Sequence, residues 1–122
     1  MTPIKRVYRI VTNLDQPKPD YIDLGAGVEA EEKDANVVSS VICPGIHAPV
    51  LDIDFEARLI PSSTPGHYHL YLDKAMSWKK YRKLLKALAR AGVIEEGYAF
   101  SSIRRGFSAV RKPDIKKPEV LL

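Results

Sequence analysis

The chain has 122 residues, of which 45% are hydrophobic and 28% charged, a composition typical of a folded soluble domain that excludes wholesale disorder. Its longest apolar runs are far short of the roughly 20 residues that a membrane-spanning helix needs, and its charged N-terminus predicts no secretory signal. The single cysteine, Cys43, excludes an internal disulfide and favours a reducing, cytoplasmic location.

The net charge of +4 hides a strong segregation of charge along the chain. Residues 13–73 carry eleven acidic and three basic side chains, whereas residues 74–117 carry thirteen basic and three acidic ones. This asymmetry predicts a basic surface for phosphates and a separate acidic surface. The alternative is that the two halves face each other and partly neutralise, and charge patterning does not decide between these arrangements.

The first part of the chain is predicted to form a strand, a loop and a helix. Alternating β-branched and basic residues predict a strand over residues 4–13, near a sheet edge. Prolines, glycines and acids predict a flexible loop over about residues 14–28. A helix is predicted over residues 29–42, because its acids lie in the first turns, where the helix dipole favours them. Its apolar face would consist of Val37, Val38, Val41 and Ile42. Cys43-Pro44-Gly45 would end it.

Two strands are predicted next, over residues 49–60 and 66–73, joined by the turn at residues 61–65. Alternate side chains of a strand share a face, so one face of this pair is predicted to point to the core. The core-facing residues would be Leu51, Ile53, Phe55, Tyr68, Leu70 and Leu72. The opposite face would carry Asp52, Asp54, Glu56, His67, His69, Tyr71 and Asp73.

The clearest element is an amphipathic helix between Ser77, which can cap its start, and Gly92, which occupies the position of a C-terminal glycine. The apolar stripe of this helix consists of Trp78, Tyr81, Leu84, Leu85 and Leu88. Its basic stripe consists of Lys79, Arg82, Lys83, Lys86 and Arg90. Residues 98–111 are predicted to form a hairpin that turns near Arg104-Arg105-Gly106, before a frayed tail at residues 112–122.

This order of elements predicts an α+β fold. We expect an antiparallel or mixed β-sheet with two helices packed on one face. The chain shows no repeat and no linker, so a single compact domain over residues 1–122 is predicted.

The face that carries the acids and histidines is a candidate metal and nucleotide site. Neighbouring carboxylates repel one another, and Mg²⁺ or Mn²⁺ bound by Asp52 and Asp54 would relieve that repulsion, with phosphate oxygens completing the shell. A nearby histidine could contact a phosphate or transfer a proton. The alternative is the ordinary polar face of an antiparallel sheet, which produces the same pattern without a function. A further alternative is a Zn²⁺ site made of Cys43, His47, His67 and His69.

Two short motifs in this region resemble the palm of archaeo-eukaryotic primases and primase-polymerases. Val50-Leu51-Asp52-Ile53-Asp54 is similar to the first motif of that family. Ser63-Thr64-Pro65-Gly66, followed by His69-Leu70-Tyr71, is similar to the second. The resemblance implies that Asp52 and Asp54 hold metal ions and that His69 contacts nucleotide phosphates. The neighbouring residues of the second motif that could join this phosphate site are His67, Ser63 and Thr64.

The resemblance covers about two dozen residues and lacks a third acidic motif, which favours a relative without catalysis. Taken whole, the chain also resembles small proteins of actinobacteria and their tailed phages. That second resemblance implies a phage setting and no particular mechanism.

The basic stripe of the helix is a candidate nucleic-acid surface, which Arg104 and Arg105 would extend. Lys79 and Lys80 lie in the first helical turn, where positive charge opposes the dipole, and a residue placed against local preference suggests a partner. Three aromatic residues are available to stack on bases, namely Tyr98, Phe100 and Phe107. The alternative is a solvated helix face without a ligand.

The sequence therefore predicts a small, phage-type cytoplasmic protein that binds nucleic acid on a primase-palm-like fold, with a divalent-metal or nucleotide site. The alternative is a non-enzymatic protein that docks on a host or phage protein through its acidic N-terminal half. No Ser-His-Asp order, Walker loop, dinucleotide fingerprint or Cys-x-x-Cys pair is present, so triad hydrolases, P-loop enzymes and thiol redox proteins have no support. Whether the protein is an enzyme of another class is left open.

Overall fold

A computed structural model of the protein describes residues 3–10 and 27–115. Within these residues the backbone forms seven short strands, one turn of 3-10 helix and two α-helices, and every strand pair is antiparallel. The predicted α+β class, with antiparallel strands and two helices, is therefore confirmed. The chain divides into two compact units, Met1–Asp52 and Ile53–Leu122. The single domain over residues 1–122 stays a prediction.

The first unit is built on a three-stranded antiparallel sheet. Its strands are β1 (Val7–Ile10), β2 (Val28–Ala30) and β3 (Val37–Ser39), with β1 in the centre. The strand predicted over residues 4–13 is thus confirmed at β1, but its predicted place near an edge is wrong, because both of its sides are paired. The guanidinium group of Arg9 donates to the carbonyl of Gly27 at 3.2 Å. This bond ties the central strand to the start of β2.

The helix predicted over residues 29–42 is wrong. This segment forms the end of β2, a 3-10 turn at Glu32–Asp34, β3, and a further strand, β4 (Val41–Cys43). β-branched side chains lose rotamer freedom in a helix and fit the pleated surface of a sheet. Val37 and Val38, which were expected on the apolar face of the helix, pair with β1 instead. Most of the acids that suggested a helix start lie in or beside the 3-10 turn.

Cys43-Pro44-Gly45 turns the chain instead of ending a helix. Strand β4 pairs across this turn with β5 (Ile46–His47). The backbone N–H of Ala48 donates to the carbonyl of Ser40 at 2.8 Å, and the Oγ of Ser40 lies 3.0 Å from Nδ1 of His47. These contacts close the open end of the hairpin.

The second unit begins with a hairpin of β6 (Ala57–Pro61) and β7 (Tyr68–Leu72). Its register places Leu59 opposite Leu70 and Ile60 opposite His69. The predicted pairing of the two segments is therefore confirmed. The predicted length of the first strand is wrong, because residues 49–56 are not strand.

Helix α1 (Trp78–Arg90) confirms the predicted amphipathic helix and both of its ends. The side chain of Ser77 accepts a hydrogen bond from the backbone N–H of Lys80 at 3.2 Å. This bond satisfies one of the N–H groups that the first turn of any helix leaves without a partner. Gly92 follows the helix with a positive φ, as its predicted position beyond the C-terminus requires.

Helix α2 (Glu96–Arg105) takes the place of the hairpin predicted over residues 98–111, which is wrong. Its buried residues, Ala99 and Ser102, are three positions apart and so lie on one helical face. Gly106 does not turn a hairpin. It caps α2 in the left-handed region at a φ of 88°, where only glycine avoids a Cβ penalty, and its N–H donates to the carbonyl of Ser102 at 2.9 Å.

The two helices pack against each other around a small core. Leu85 of α1 is 2% exposed, and Ala99 of α2 is 4% exposed. The hydroxyl of Tyr81 donates to Oγ of Ser108 at 2.7 Å, and Ser108 donates to Oγ of the fully buried Ser102 at 2.8 Å. This chain of hydroxyls satisfies the buried serine and fastens the segment that follows α2 to α1.

Two predicted features fall largely outside the described residues. Of the flexible loop predicted at about residues 14–28, only Gly27 and Val28 are described, and Val28 begins β2. The frayed tail predicted at residues 112–122 lies outside from residue 116 onward. In the part of the chain that is described, neither helix is long and apolar enough to cross a bilayer.

Candidate nucleic-acid interface

A stripe of basic side chains runs along the exposed face of α1. Lys79, Lys83, Lys86 and Arg90 follow one another at intervals of four, three and four residues, which places them on one side of the helix. All four are exposed, as is the neighbouring Arg82. The structure thus brings together the basic residues of α1 that the sequence singled out.

The end of this stripe borders an open groove between α1 and α2. The groove has a volume of about 500 Å³. Its α1 side is formed by Lys86, Ala89 and Arg90, and its α2 side by Glu96, Gly97, Ala99, Phe100 and Ile103. The small residues on both sides leave room between the helices, so an apolar floor lies directly beside two cationic groups.

Two exposed aromatic rings each lie beneath an arginine. Phe100 is 63% exposed, and the guanidinium carbon of Arg104 lies 5.1 Å from the centre of its ring. Phe107 is 57% exposed, and the guanidinium carbon of Arg105 lies 5.5 Å from its ring centre. Both distances are within the range of cation–π attraction. Tyr98, the third aromatic residue predicted for stacking, is half-buried.

Within residues 3–10 and 27–115, no ion pair joins the basic residues of α1 to an acidic group. The acids that follow α1 in the sequence, Glu95 and Glu96, stand at the start of α2, where the helix dipole stabilises negative charge. Among the residues that the structure describes, the cations of the stripe are therefore not engaged in ion pairs.

The predicted cluster of carboxylates and imidazoles does not form on paired strands. Asp52 and Asp54 are exposed and precede β6, so the strand pairing does not align them with the histidines of β7. Among residues 3–10 and 27–115, no three His, Cys, Asp or Glu side chains come together in a way that could hold a metal ion. The Zn²⁺ alternative required Cys43, His47, His67 and His69 to meet, and no three of these side chains come together in such a group. The Mg²⁺ or Mn²⁺ site stays a prediction.

The hairpin of β6 and β7 turns its apolar side to solvent, which is the reverse of what was predicted. Tyr68 is 58%, Leu70 61% and Leu72 38% exposed, whereas His69 and Tyr71 are half-buried. Strand alternation determines which side chains share a face, but the side that is covered depends on the rest of the structure. The three apolar residues of β7 were wrongly expected to point to the core.

The predicted phosphate-binding residues lie in and after the turn of this hairpin. The hydroxyl of Ser62 accepts from the backbone N–H of Thr64 at 3.1 Å, and the backbone N–H of His67 donates to the carbonyl of Thr64 at 3.1 Å. Thr64 is half-buried, while Ser63 and His67 are exposed. Nδ1 of His69 is buried and has no hydrogen-bond partner among the described residues. Their role in nucleotide binding stays a prediction, as does the primase-palm resemblance.

Sequence reasoning missed the groove because it treated α2 as two strands. The signal that would have identified α2 as a helix is the placement of Arg104 and Arg105 just before Gly106. Basic residues in a last turn followed by glycine are the usual end of a helix. With α2 recognised as a helix, Ala99 and Ile103 share a face, and Phe100 lies beside them.

No known protein family, curated protein or solved structure matches this chain. The class that the fold supports is a small α+β protein with a basic helix pair.

The metal prediction has a direct thermal test. If Asp52 and Asp54 bind a divalent ion in the folded state alone, Mn²⁺ raises the melting temperature, with a stabilisation of about 2.7 kcal/mol at a hundred times the dissociation constant. The variant Asp52→Asn plus Asp54→Asn is then expected to lose this shift. A wild-type protein that does not respond to Mn²⁺, with a double variant that melts higher, would show that the only effect of the two carboxylates is mutual repulsion.

Proposed function

We propose that this chain is a nucleic-acid-binding protein and that its ligand lies on the surface formed by α1 and α2. The observation that carries the proposal is the continuity of charge and aromatic surface. The basic stripe of α1 ends at Lys86 and Arg90, and these two residues line the groove together with Phe100. The guanidinium group of Arg104 lies over the ring of Phe100. Cations for phosphates and a ring for bases therefore occur side by side.

The energetic basis is the release of counterions. Each phosphate that a lysine or arginine neutralises sets free condensed cations, and a row of four such side chains along one helix face can follow one backbone. Phosphate contacts carry no sequence information, so this surface alone would bind many sequences equally. A cytoplasmic location and a phage setting belong to the same proposal and rest on the single cysteine and on the sequence resemblance, respectively.

The proposal is tested by fluorescence anisotropy with labelled single- and double-stranded oligonucleotides at low and moderate salt. We expect binding at low salt and a linear fall of log K with log salt, with a slope of about −0.7 to −0.9 for each neutralised phosphate. A polyglutamate chain of matched charge serves as the control for unspecific attraction of polyanions. Absence of oligonucleotide binding at low salt would reject the proposal and leave docking on a protein through the acidic N-terminal half as the better explanation.

A further inference from the structure

We infer that the groove between α1 and α2 takes up an unstacked nucleobase, so that the ligand is a single-stranded nucleic acid rather than a duplex. This inference rests on the proposed function and specifies its ligand. The groove combines an apolar floor with the cationic groups of Lys86 and Arg90 on its α1 wall.

The size and lining of the groove suit a flat, uncharged ring. The groove has a volume of about 500 Å³ and is wide open to solvent, so it can cover one face of a base without enclosing it. Ala89, Ala99 and Ile103 present apolar surface, and Gly97 adds no side chain. Phe100 is the one aromatic residue that lines the groove, and it supplies the face on which a base can stack.

The charges around the groove define where the phosphates lie. Lys86 and Arg90 stand on the α1 wall, and Glu96 stands on the α2 wall. A phosphate is attracted by Lys86 and Arg90 and repelled by Glu96, so the backbone of the strand runs along α1 while its base enters the groove. On α2 the guanidinium group of Arg104 lies over the ring of Phe100. The basic stripe continues in the same direction through Lys83 and Lys79, which extends the path for neighbouring phosphates.

The stacking ring disfavours a duplex. In a duplex the bases are stacked on one another and have no free face for Phe100. A single strand can unstack its bases and offer such a face.

The inference predicts that Phe100→Ala weakens the binding of a single-stranded oligonucleotide by about fivefold to a hundredfold, the range found for removal of a stacking ring. Phe107→Ala is the matched control, because Phe107 is also exposed and also carries an arginine, but does not line the groove. We expect its effect to be clearly smaller. Phe100→Trp, which keeps a stacking ring, should bind at least as well as the wild type.

A second measurement changes the ligand instead of the protein. An oligonucleotide in which every base is removed keeps its phosphates and loses its rings. It should bind the wild type more weakly than the intact strand by about the same factor as the Phe100→Ala loss, and Phe100→Ala should not weaken it further, because effects that act through one contact do not add. Melting curves for each variant verify that Phe100, which is largely exposed, is dispensable for folding.

The possible results separate this inference from the proposed function. Stronger binding of single strands than of duplexes, with the preference lost in Phe100→Ala, supports both. Equal binding of single strands, duplexes and baseless strands, unaffected by Phe100→Ala, overturns the groove inference and leaves nucleic-acid binding in place. No binding of any oligonucleotide overturns both.

Discussion

Replacement of both Lys83 and Lys86 by Glu is expected to weaken oligonucleotide binding about a hundredfold at about 50 mM salt, since each lost phosphate contact is worth roughly tenfold at that concentration. The loss should be uniform across sequences, because backbone contacts do not distinguish bases. The plot of log K against log salt should also become flatter by about 0.7 to 0.9 for each contact. Anisotropy titrations at several salt concentrations measure both effects.

The fold should survive this change. Both side chains are exposed, and exposed substitutions usually alter stability by less than about 0.5 kcal/mol. Glu at position 83 would stand four residues after Lys79, and Glu at position 86 four residues before Arg90. Opposite charges at this spacing on a helix attract slightly. Loss of binding therefore cannot be explained by unfolding of α1, and a thermal melt verifies this.

The matched control for net charge is Lys5→Glu plus Lys33→Glu. These residues are exposed and lie outside α1 and α2, and the double change alters the net charge by the same amount. We expect it to reduce binding much less than the change at Lys83 and Lys86. An equal loss in both double variants would mean that overall charge, rather than a defined surface, attracts the nucleic acid.

Leu85→Ala is expected to destabilise the protein by about 2 to 5 kcal/mol, the usual cost of removing a fully buried leucine side chain and leaving a cavity. Leu85 is 2% exposed and lies in the core between α1 and α2. The free energy of unfolding is measured by urea denaturation, followed by circular dichroism. Because the groove is formed by the same helix pair, loss of this core should also remove the single-strand preference.

Leu70→Ala provides the comparison for this second prediction. Both leucines are predicted core residues by sequence pattern, but Leu70 is 61% exposed, so its truncation should cost less than about 0.5 kcal/mol. The chemical change is identical and only the environment differs. Equal destabilisation by the two substitutions would contradict the outward orientation of the apolar side of the β6–β7 hairpin.

Leu85 and Leu70 show that a sequence pattern predicts local structure but not which apolar side chains are buried. Helix α1 could be predicted with both of its ends, because its signals are local: Ser77 before the first turn, Gly92 after the last, and an apolar stripe between them. The basic stripe followed from the same spacing. The pairing of β6 with β7 was equally accessible, because a short turn joins two segments of alternating character.

What the sequence by itself determined is therefore the class of fold, the basic face of α1 and the set of side chains on each side of the hairpin. The tertiary structure decided the rest. Residues 37–39 form a strand because β1 lies beside them, a contact across nearly thirty residues that no local pattern reports. Whether Leu70 is covered, and whether Phe100 borders a groove, depends on which surfaces meet, and burial is a property of the packed chain rather than of any segment in it.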